Sequence, residues 1–174
     1  MTTHRPAEPE FASFYAAYVS LVPETDVVPA LERQMEEIHR AAATVTSERE
    51  TFRYEPGKWS IREVFGHMGD AERVFGYRAF CIRRGEEKPL PGFDEKTYVA
   101  ESGYDRRPLR GLADELVALR TSNLILLRAL DETAWRRLGN ANGHPVSVRA
   151  LAYIMAGHVR HHLRVLHERY HLES

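Results

Sequence analysis

The chain has 174 residues, of which 43% are hydrophobic and 28% are charged, as in an ordinary globular protein, and we expect one domain over residues 1–174. The formal net charge of −1 excludes a global field that would attract nucleic acid or an anionic membrane surface. One cysteine excludes an intramolecular disulfide, and no apolar run approaches the ~18 residues of a membrane span or resembles a signal peptide. These absences predict a cytoplasmic protein.

The first two predicted helices are separated by a proline. Residues 11–22 form a short apolar segment, which is predicted to be a small helix that ends at Pro23. The next helix is predicted to begin near Asp26, with Pro29 in its first turn, where a missing N–H group is harmless. Apolar residues then recur at spacings of three and four up to Ala42, as on one face of a helix.

Three later segments have the apolar period of long amphipathic helices: residues 60–84, 109–130 and 148–170. Ser60 and Glu63 form a capping box at the start of the first, and Gly85 provides its stop. Ser147 is a favourable N-cap for the last. No segment shows the period of two that indicates a strand. The sequence therefore predicts an all-α fold, a four-helix bundle with a small additional N-terminal helix.

The connection between the second and third bundle helices, residues 85–108, is unusually long. It contains prolines and glycines, has no helical period and carries three aromatic residues, Phe93, Tyr98 and Tyr104. Connections in bundles usually take ~2–8 residues, and longer ones are often functional lids. We expect a packed crossover that covers one end of the bundle, with Phe93 or Tyr98 lining a substrate pocket.

Histidines provide the main functional signal. His158 and His162 lie one helical turn apart, about 40° round the helix axis from each other, within an apolar stripe. His67 faces inward from another predicted helix, whereas His161 falls on the flank of its own helix. Buried imidazoles without partners are destabilising, so either each is a satisfied core residue or the three bind one divalent transition metal. The convergence of all three favours the metal, with an open coordination position.

Three charged residues lie near these histidines. Glu63 and Asp70 flank His67 by one turn on either side, and they are candidates for orienting it or accepting a proton. The alternative is that both carboxylates are solvated beside neighbouring arginines. Arg78 lies three turns from His67 on nearly the same face, and it is predicted to contact either an anionic substrate group or a buried acid.

Three segments in order resemble the DinB/YfiT-like superfamily, described as metalloenzymes: RYEPGKWSIREVFGHM (residues 53–68), PLPGFD (residues 89–94) and AGHVRHH (residues 156–162). The resemblance extends from about Tyr18 to Tyr170. It implies an up-down-down-up four-helix bundle, frequent homodimerisation, and a nickel or zinc site formed by His67, His158 and His162. Some relatives are transferases or isomerases that use a low-molecular-weight thiol such as bacillithiol or mycothiol.

Three functions follow from these observations. The first is a metal-dependent enzyme that transfers a metal-bound thiol to a small-molecule electrophile. The second is a metal-dependent hydrolase that uses bound hydroxide, with Glu63 or Asp70 as the base. The third is a metal-binding stress-response protein without catalytic activity. Turnover separates them, because only the first consumes a thiol and only the first two convert a substrate.

Overall fold

The structure, a computed structural model, describes residues 4–172. Within that range the chain forms helices α1 (Ala16–Ser20), α2 (Val27–Ala43), α3 (Ile61–Arg83), α4 (Glu95–Ser102), α5 (Leu109–Arg128), α6 (Glu132–Arg136) and α7 (Val148–Tyr170), and strands β1 (Leu138–Ala141) and β2 (His144–Ser147). Short 3₁₀ turns cover residues 13–15, 47–49 and 104–106. Of the helices in this range, none is sufficiently long and apolar to span a bilayer.

Side-chain caps fix the starts of α2, α3 and α7 where the sequence predicts them. The Asp26 carboxylate accepts a hydrogen bond from a backbone N–H in the first turn of α2. Ser60 and Glu63 form the predicted capping box of α3, and the Ser147 hydroxyl accepts from the first turn of α7. Each cap satisfies a backbone group that the helix itself leaves unpaired. Helix α3 does not continue past its C-cap, because the next residue, Gly85, takes a left-handed conformation with φ +87°.

The four long helices α2, α3, α5 and α7 form a bundle in which α2 and α3 each pack against both α5 and α7. Helices α3 and α5 run parallel, since Glu72 meets Arg120 and, one turn further along both helices, Gly76 meets Asn123. The Trp59 carbonyl before α3 accepts a hydrogen bond from the last residues of α7, so these two helices are antiparallel. Helix α2 runs antiparallel to α5, because its start meets the end of α5 and its end meets the start of α5. The resulting up-down-down-up order confirms the predicted bundle.

The long connection lies along the side of α3. Because α3 and α5 are parallel neighbours, the chain must return over the full length of the bundle between them. Arg78 donates to the Pro91 carbonyl at 2.7 Å, and further on the ring of Tyr104 packs against Gly66. The expectation that this segment covers one end of the bundle is therefore wrong. The connection also contains helix α4, which was not predicted because its sequence has no helical period of apolar residues.

A β-hairpin between α6 and α7 was not predicted. Strands β1 and β2 pair in antiparallel register and are joined by Asn142 and Gly143, both with positive φ (55° and 77°). That Asn-Gly pair is the usual sequence of a two-residue hairpin turn. Four-residue strands are too short to display an alternating pattern, so this turn was the available signal. The hairpin carries Asn142 to the crossover, where its side chain abuts Gly92.

The segment before α2 is attached to α7 by an ion pair. The Glu24 carboxylate accepts hydrogen bonds from Arg160 at 2.5 and 2.8 Å, and the Glu24 carbonyl accepts one from the Tyr153 hydroxyl at 2.9 Å. The hydrogen bonds from Arg160 are the main cause that lowers the pKa of Glu24 to about 2. The carboxylate therefore holds this segment, and the preceding helix α1, against α7.

The low pKa of Glu24 predicts a specific loss of stability in acid. The unfolded chain takes up this proton near pH 4.5 and the folded protein only near pH 2, so the contribution is present above pH 4.5 and disappears as the pH falls toward 2. Since the side chain is a quarter exposed, we expect a contribution of about 1–2 kcal/mol. Urea unfolding should show Glu24→Gln less stable than the wild type by that amount at pH 6 and by less at pH 3. A difference that does not change with pH would contradict the assignment.

Candidate metal centre

Three histidines from two antiparallel helices converge in the bundle interior. Helix α3 supplies His67, and α7 supplies His158 and His162; all three are buried, with 5%, 5% and 9% exposure. The Nε2 atom of His158 lies 3.0 Å from that of His67 and 3.1 Å from that of His162. The three candidate ligand atoms all lie within 4.8 Å of one another. The structure thus brings together the three residues that the sequence singled out as metal ligands.

The electrostatics of this cluster suit a cation. Burial lowers the pKa of His67 to about 4 and holds those of His158 and His162 well below their usual value, so all three imidazoles are neutral. Neutral imidazole is the form that coordinates metals. Their Nε2 atoms face one another with no carboxylate in contact among the described residues. Three convergent nitrogen lone pairs in an apolar interior fit one divalent transition metal.

Aromatic rings fix the orientation of the imidazoles. The indole of Trp59 lies 4.7 Å from the ring of His67, and the ring of Tyr18 lies 5.4 Å from that of His158. Helix α1 can bring Tyr18 this close because residue 157 is a glycine: a Cβ there would meet the Tyr18 carbonyl oxygen at 2.0 Å. Gly157 therefore allows α1 to pack against the histidine-bearing face of α7.

The histidines lie in the wall of a cavity of about 360 Å³. Six aromatic residues also line it: Phe14, Tyr15, Tyr18, Trp59, Phe75 and Phe93. The other lining side chains are Arg78, Glu95 and Asn142. Burial, followed by the negative charge of Glu95, raises the pKa of the Tyr18 phenol, which therefore stays protonated as a hydrogen-bond donor. The cavity can hold a small ligand between apolar rings and a few polar groups.

A second cavity, of about 570 Å³, also reaches this centre. Trp59 and His162 line both cavities, so the same imidazole is accessible from two directions. Two lysines, Lys58 and Lys96, border the second cavity, together with His161. No carboxylate belongs to its lining among residues 4–172, which makes this approach cationic.

Two of the predicted pocket residues line the main cavity and one does not. Arg78 and Phe93 are both in its wall, as expected from the sequence. Tyr98 is 48% exposed and packs against the outer side of Phe93, with ring centroids 5.4 Å apart. Tyr98 instead lines a separate cavity against α3, so it supports Phe93 and does not reach the cavity that holds the histidines.

Neither predicted base lies in the cavity wall. Glu63 accepts a hydrogen bond from the backbone N–H of Ser60 and pairs with Arg53, so its carboxylate points to the start of α3. Asp70 is half-buried and hydrogen-bonded to the side chain of Tyr104, on the crossover side of the helix. The only carboxylate in the lining, within the part of the chain that the structure describes, is that of Glu95.

The sequence reasoning missed Trp59, Tyr18 and Glu95. For Trp59 a signal existed: it directly precedes the N-cap, where an apolar residue commonly packs against the fourth residue of the helix, here Val64. A residue in that position is expected on the face of α3 that carries His67, where the structure places the Trp59 ring. No local pattern could have placed Tyr18 or Glu95, because both reach the cavity through long-range packing of separate segments.

Comparison with known proteins agrees with this architecture. The sequence profile of the DinB superfamily matches residues 30–166. The chain belongs to the DinB superfamily. Its structure is similar to that of YfiT from Bacillus subtilis, described as a probable metal-dependent hydrolase with an unusual four-helix bundle topology. The TM-score is 0.75 at 19% identity, covering 98% of this chain and 95% of YfiT.

A second solved structure is also similar to this DinB superfamily member. It is a mycothiol-dependent maleylpyruvate isomerase, with a TM-score of 0.65 and 15% identity. The similarity covers 84% of this chain but 61% of the isomerase. No curated protein sequence matches the chain. At these identities, the two structures establish the shared fold.

Proposed function

We propose that this protein is a metal-dependent enzyme that transfers a low-molecular-weight thiol to a small electrophile. The observation that supports it is the convergence of three buried, neutral imidazoles in the wall of an aromatic-lined cavity. His67, His158 and His162 would hold one divalent metal ion, nickel or zinc, since imidazole suits both. When bound, such a metal supplies a Lewis acid that lowers the pKa of a coordinated thiol or water molecule.

The protein's own residues would orient the reactants and exclude water. The rings of Trp59 and Phe75 flank the histidines and keep the reacting atoms in an apolar environment, where electrostatic interactions are stronger. The protonated Tyr18 phenol can donate a hydrogen bond to an electronegative atom of the substrate. His161 contacts the Tyr18 ring at 5.5 Å and so serves to position it.

The presence of two cavities supports a two-substrate reaction. A thiol that enters between Lys58 and Lys96 and an electrophile in the aromatic cavity would meet at His162, which both cavities share. A hydrolase needs only one organic substrate and gains nothing from the second approach. The mycothiol-dependent isomerase, among the structural neighbours, is named for thiol chemistry.

Glu95 favours metal-dependent hydrolysis as the second candidate. Its carboxylate lines the aromatic cavity, and its negative charge raises the pKa of the Tyr18 phenol. The carboxylate can therefore accept a proton at that site. It replaces Glu63 and Asp70 in that role. YfiT, with the same fold, is the neighbour described as a hydrolase.

The proposal includes a homodimer in the cytoplasm as the working form. Two aromatic side chains on the outer face of α3, Tyr77 and Phe80, are 57% and 46% exposed. Exposed rings of this kind are common at interfaces between protein copies. Light scattering on the purified protein measures its mass directly.

The test is turnover by protein purified without a histidine tag and shown by elemental analysis to contain metal. We expect consumption of bacillithiol, mycothiol or glutathione in the presence of monochlorobimane, and no conversion of this electrophile without a thiol. Hydrolysis of 4-nitrophenyl acetate without thiol, lost in Glu95→Gln, would instead support the second candidate. A metal-loaded protein that converts neither of these probes, nor an electrophilic carboxylate such as acrylate with any of the three thiols, would be a binding protein, contrary to both candidates.

A further inference from the structure

Arg78 is a buried cation without an acidic partner. The residue is 3% exposed, and its guanidinium donates one hydrogen bond, to the Pro91 carbonyl at 2.7 Å. No carboxylate lies within ion-pair distance of it among residues 4–172. Arg120, the other buried arginine within residues 4–172, is paired with both oxygens of Glu72. Since removing a charge from water costs several kcal/mol unless it is paired, an unpaired guanidinium here requires an explanation.

The position of Arg78 supplies that explanation. Its guanidinium borders the aromatic cavity, and it lies 5.9 Å from the centroid of the Phe75 ring. The same Phe75 ring also lies next to the histidine cluster, since its centroid is 6.0 Å from that of the His158 ring. One phenyl ring thus separates the cation from the histidines.

We propose that Arg78 binds a carboxylate group of the substrate. The inference rests on the proposed function and defines the class of its electrophilic substrate: a small organic acid whose anionic group is separated by a short apolar body from the reacting atom. The planar guanidinium presents parallel N–H donors that match the two oxygens of a carboxylate. The Phe75 ring, which lies near both the guanidinium and His158, would flank the apolar body of such an acid.

The other charge in the cavity does not neutralise Arg78. Glu95 is exposed at the start of α4, and its charge acts on Tyr18. No ion pair joins the Glu95 carboxylate to the guanidinium in the described structure. The buried part of the cavity therefore carries a net positive charge, which selects an anion.

Isothermal titration calorimetry with matched probes tests the proposal. The metal-containing protein is titrated with 3-phenylpropanoate and with 3-phenylpropanamide, which has the same shape without the charge. We expect the wild type to prefer the carboxylate by tenfold or more, on the order of one charge-assisted hydrogen bond. Arg78→Met should abolish the preference, and Arg78→Lys should retain part of it. Arg84→Met, which removes an exposed cation from the end of the same helix, should leave it unchanged.

The His162→Ala variant separates this subsite from direct binding of the probe to the metal. A preference that survives in His162→Ala and is lost in Arg78→Met supports the assignment. A preference retained in Arg78→Met but lost in His162→Ala would place the anion on the metal and overturn it, as would equal affinity of the wild type for both probes. Metal analysis of the same samples tests the proposed function separately, because the preference does not depend on metal content. Circular dichroism confirms that each variant is folded.

Discussion

Replacement of His67, His158 or His162 with alanine is expected to reduce the metal content of the purified protein from about one ion per chain to nearly none. Each imidazole is one of three converging donors, with the Nε2 atoms of neighbouring rings 3.0 and 3.1 Å apart. Since no carboxylate contacts the cluster in the described structure, nothing is positioned to replace a missing ligand. Elemental analysis after gel filtration, on protein without a histidine tag, measures the loss.

His161→Ala is the matched control for this experiment. His161 lies on the same helix between two of the candidate ligands. Unlike them it is only half-buried, and its ring packs against that of Tyr18. Its replacement should leave the metal content unchanged. Full occupancy in the His67→Ala protein would remove α3 from the site and leave only a two-histidine pair on α7.

The pH dependence of metal loading provides an independent check. A histidine in water is half protonated near pH 6.5, and protons then compete with the metal. Burial lowers the pKa of His67 to about 4 and those of His158 and His162 well below 6.5, so the cluster remains neutral at pH 6. We therefore expect the same metal content at pH 6 as at pH 7.5. Release between these values would indicate solvent-exposed ligands.

The histidine cluster was predictable because its signal is local. A spacing of four places His158 and His162 on one face of any α-helix, and the apolar residues around them decide that this face is buried. The same reasoning applies to His67 and to the helix caps at Asp26, Ser60 and Ser147, which depend on a few adjacent residues.

The predictions that were wrong, and the features that were missed, depend on contacts between segments that are distant in the sequence. Glu63 is one turn from His67, but as the third residue of α3 its carboxylate is held by the N-cap and by Arg53. The Asp70 carboxylate is hydrogen-bonded to the side chain of Tyr104, a residue of the crossover. The path of that crossover follows from α3 and α5 being parallel, which periodicity within a segment cannot reveal.

A buried polar network in the bundle core was also beyond sequence reasoning. Arg120 is fully buried and forms two hydrogen bonds of 2.9 Å with the Glu72 carboxylate, itself 1% exposed. It also donates to the Gln34 side chain at 2.8 Å, and Gln34 in turn donates to the Ala156 carbonyl at 2.7 Å. The network therefore joins all four bundle helices. A helical wheel shows that these polar residues face inward but not which of them meet.

Arg120→Ala is expected to lower the free energy of unfolding by about 3–5 kcal/mol, because it leaves the Glu72 carboxylate buried without its cation. Urea unfolding followed by circular dichroism measures this value. Arg128→Ala is the matched control: Arg128 is on the same helix and pairs with Glu32, but its side chain is 55% exposed. Removal of such an exposed ion pair should cost about 0–1 kcal/mol.

A double variant, Arg120→Met with Glu72→Leu, distinguishes the cost of an unpaired charge from the general loss of packing. It removes both charges while keeping similar side-chain volume, and such replacements are often neutral or stabilising. We expect it to be more stable than Arg120→Ala, even though it changes two core residues. If it were instead the less stable of the two, the ion pair itself would contribute net stability to the core. If Arg120→Ala cost no more than Arg128→Ala, Glu72 would have to be neutral in the folded protein, and the network would act only by fixing the register of the four helices.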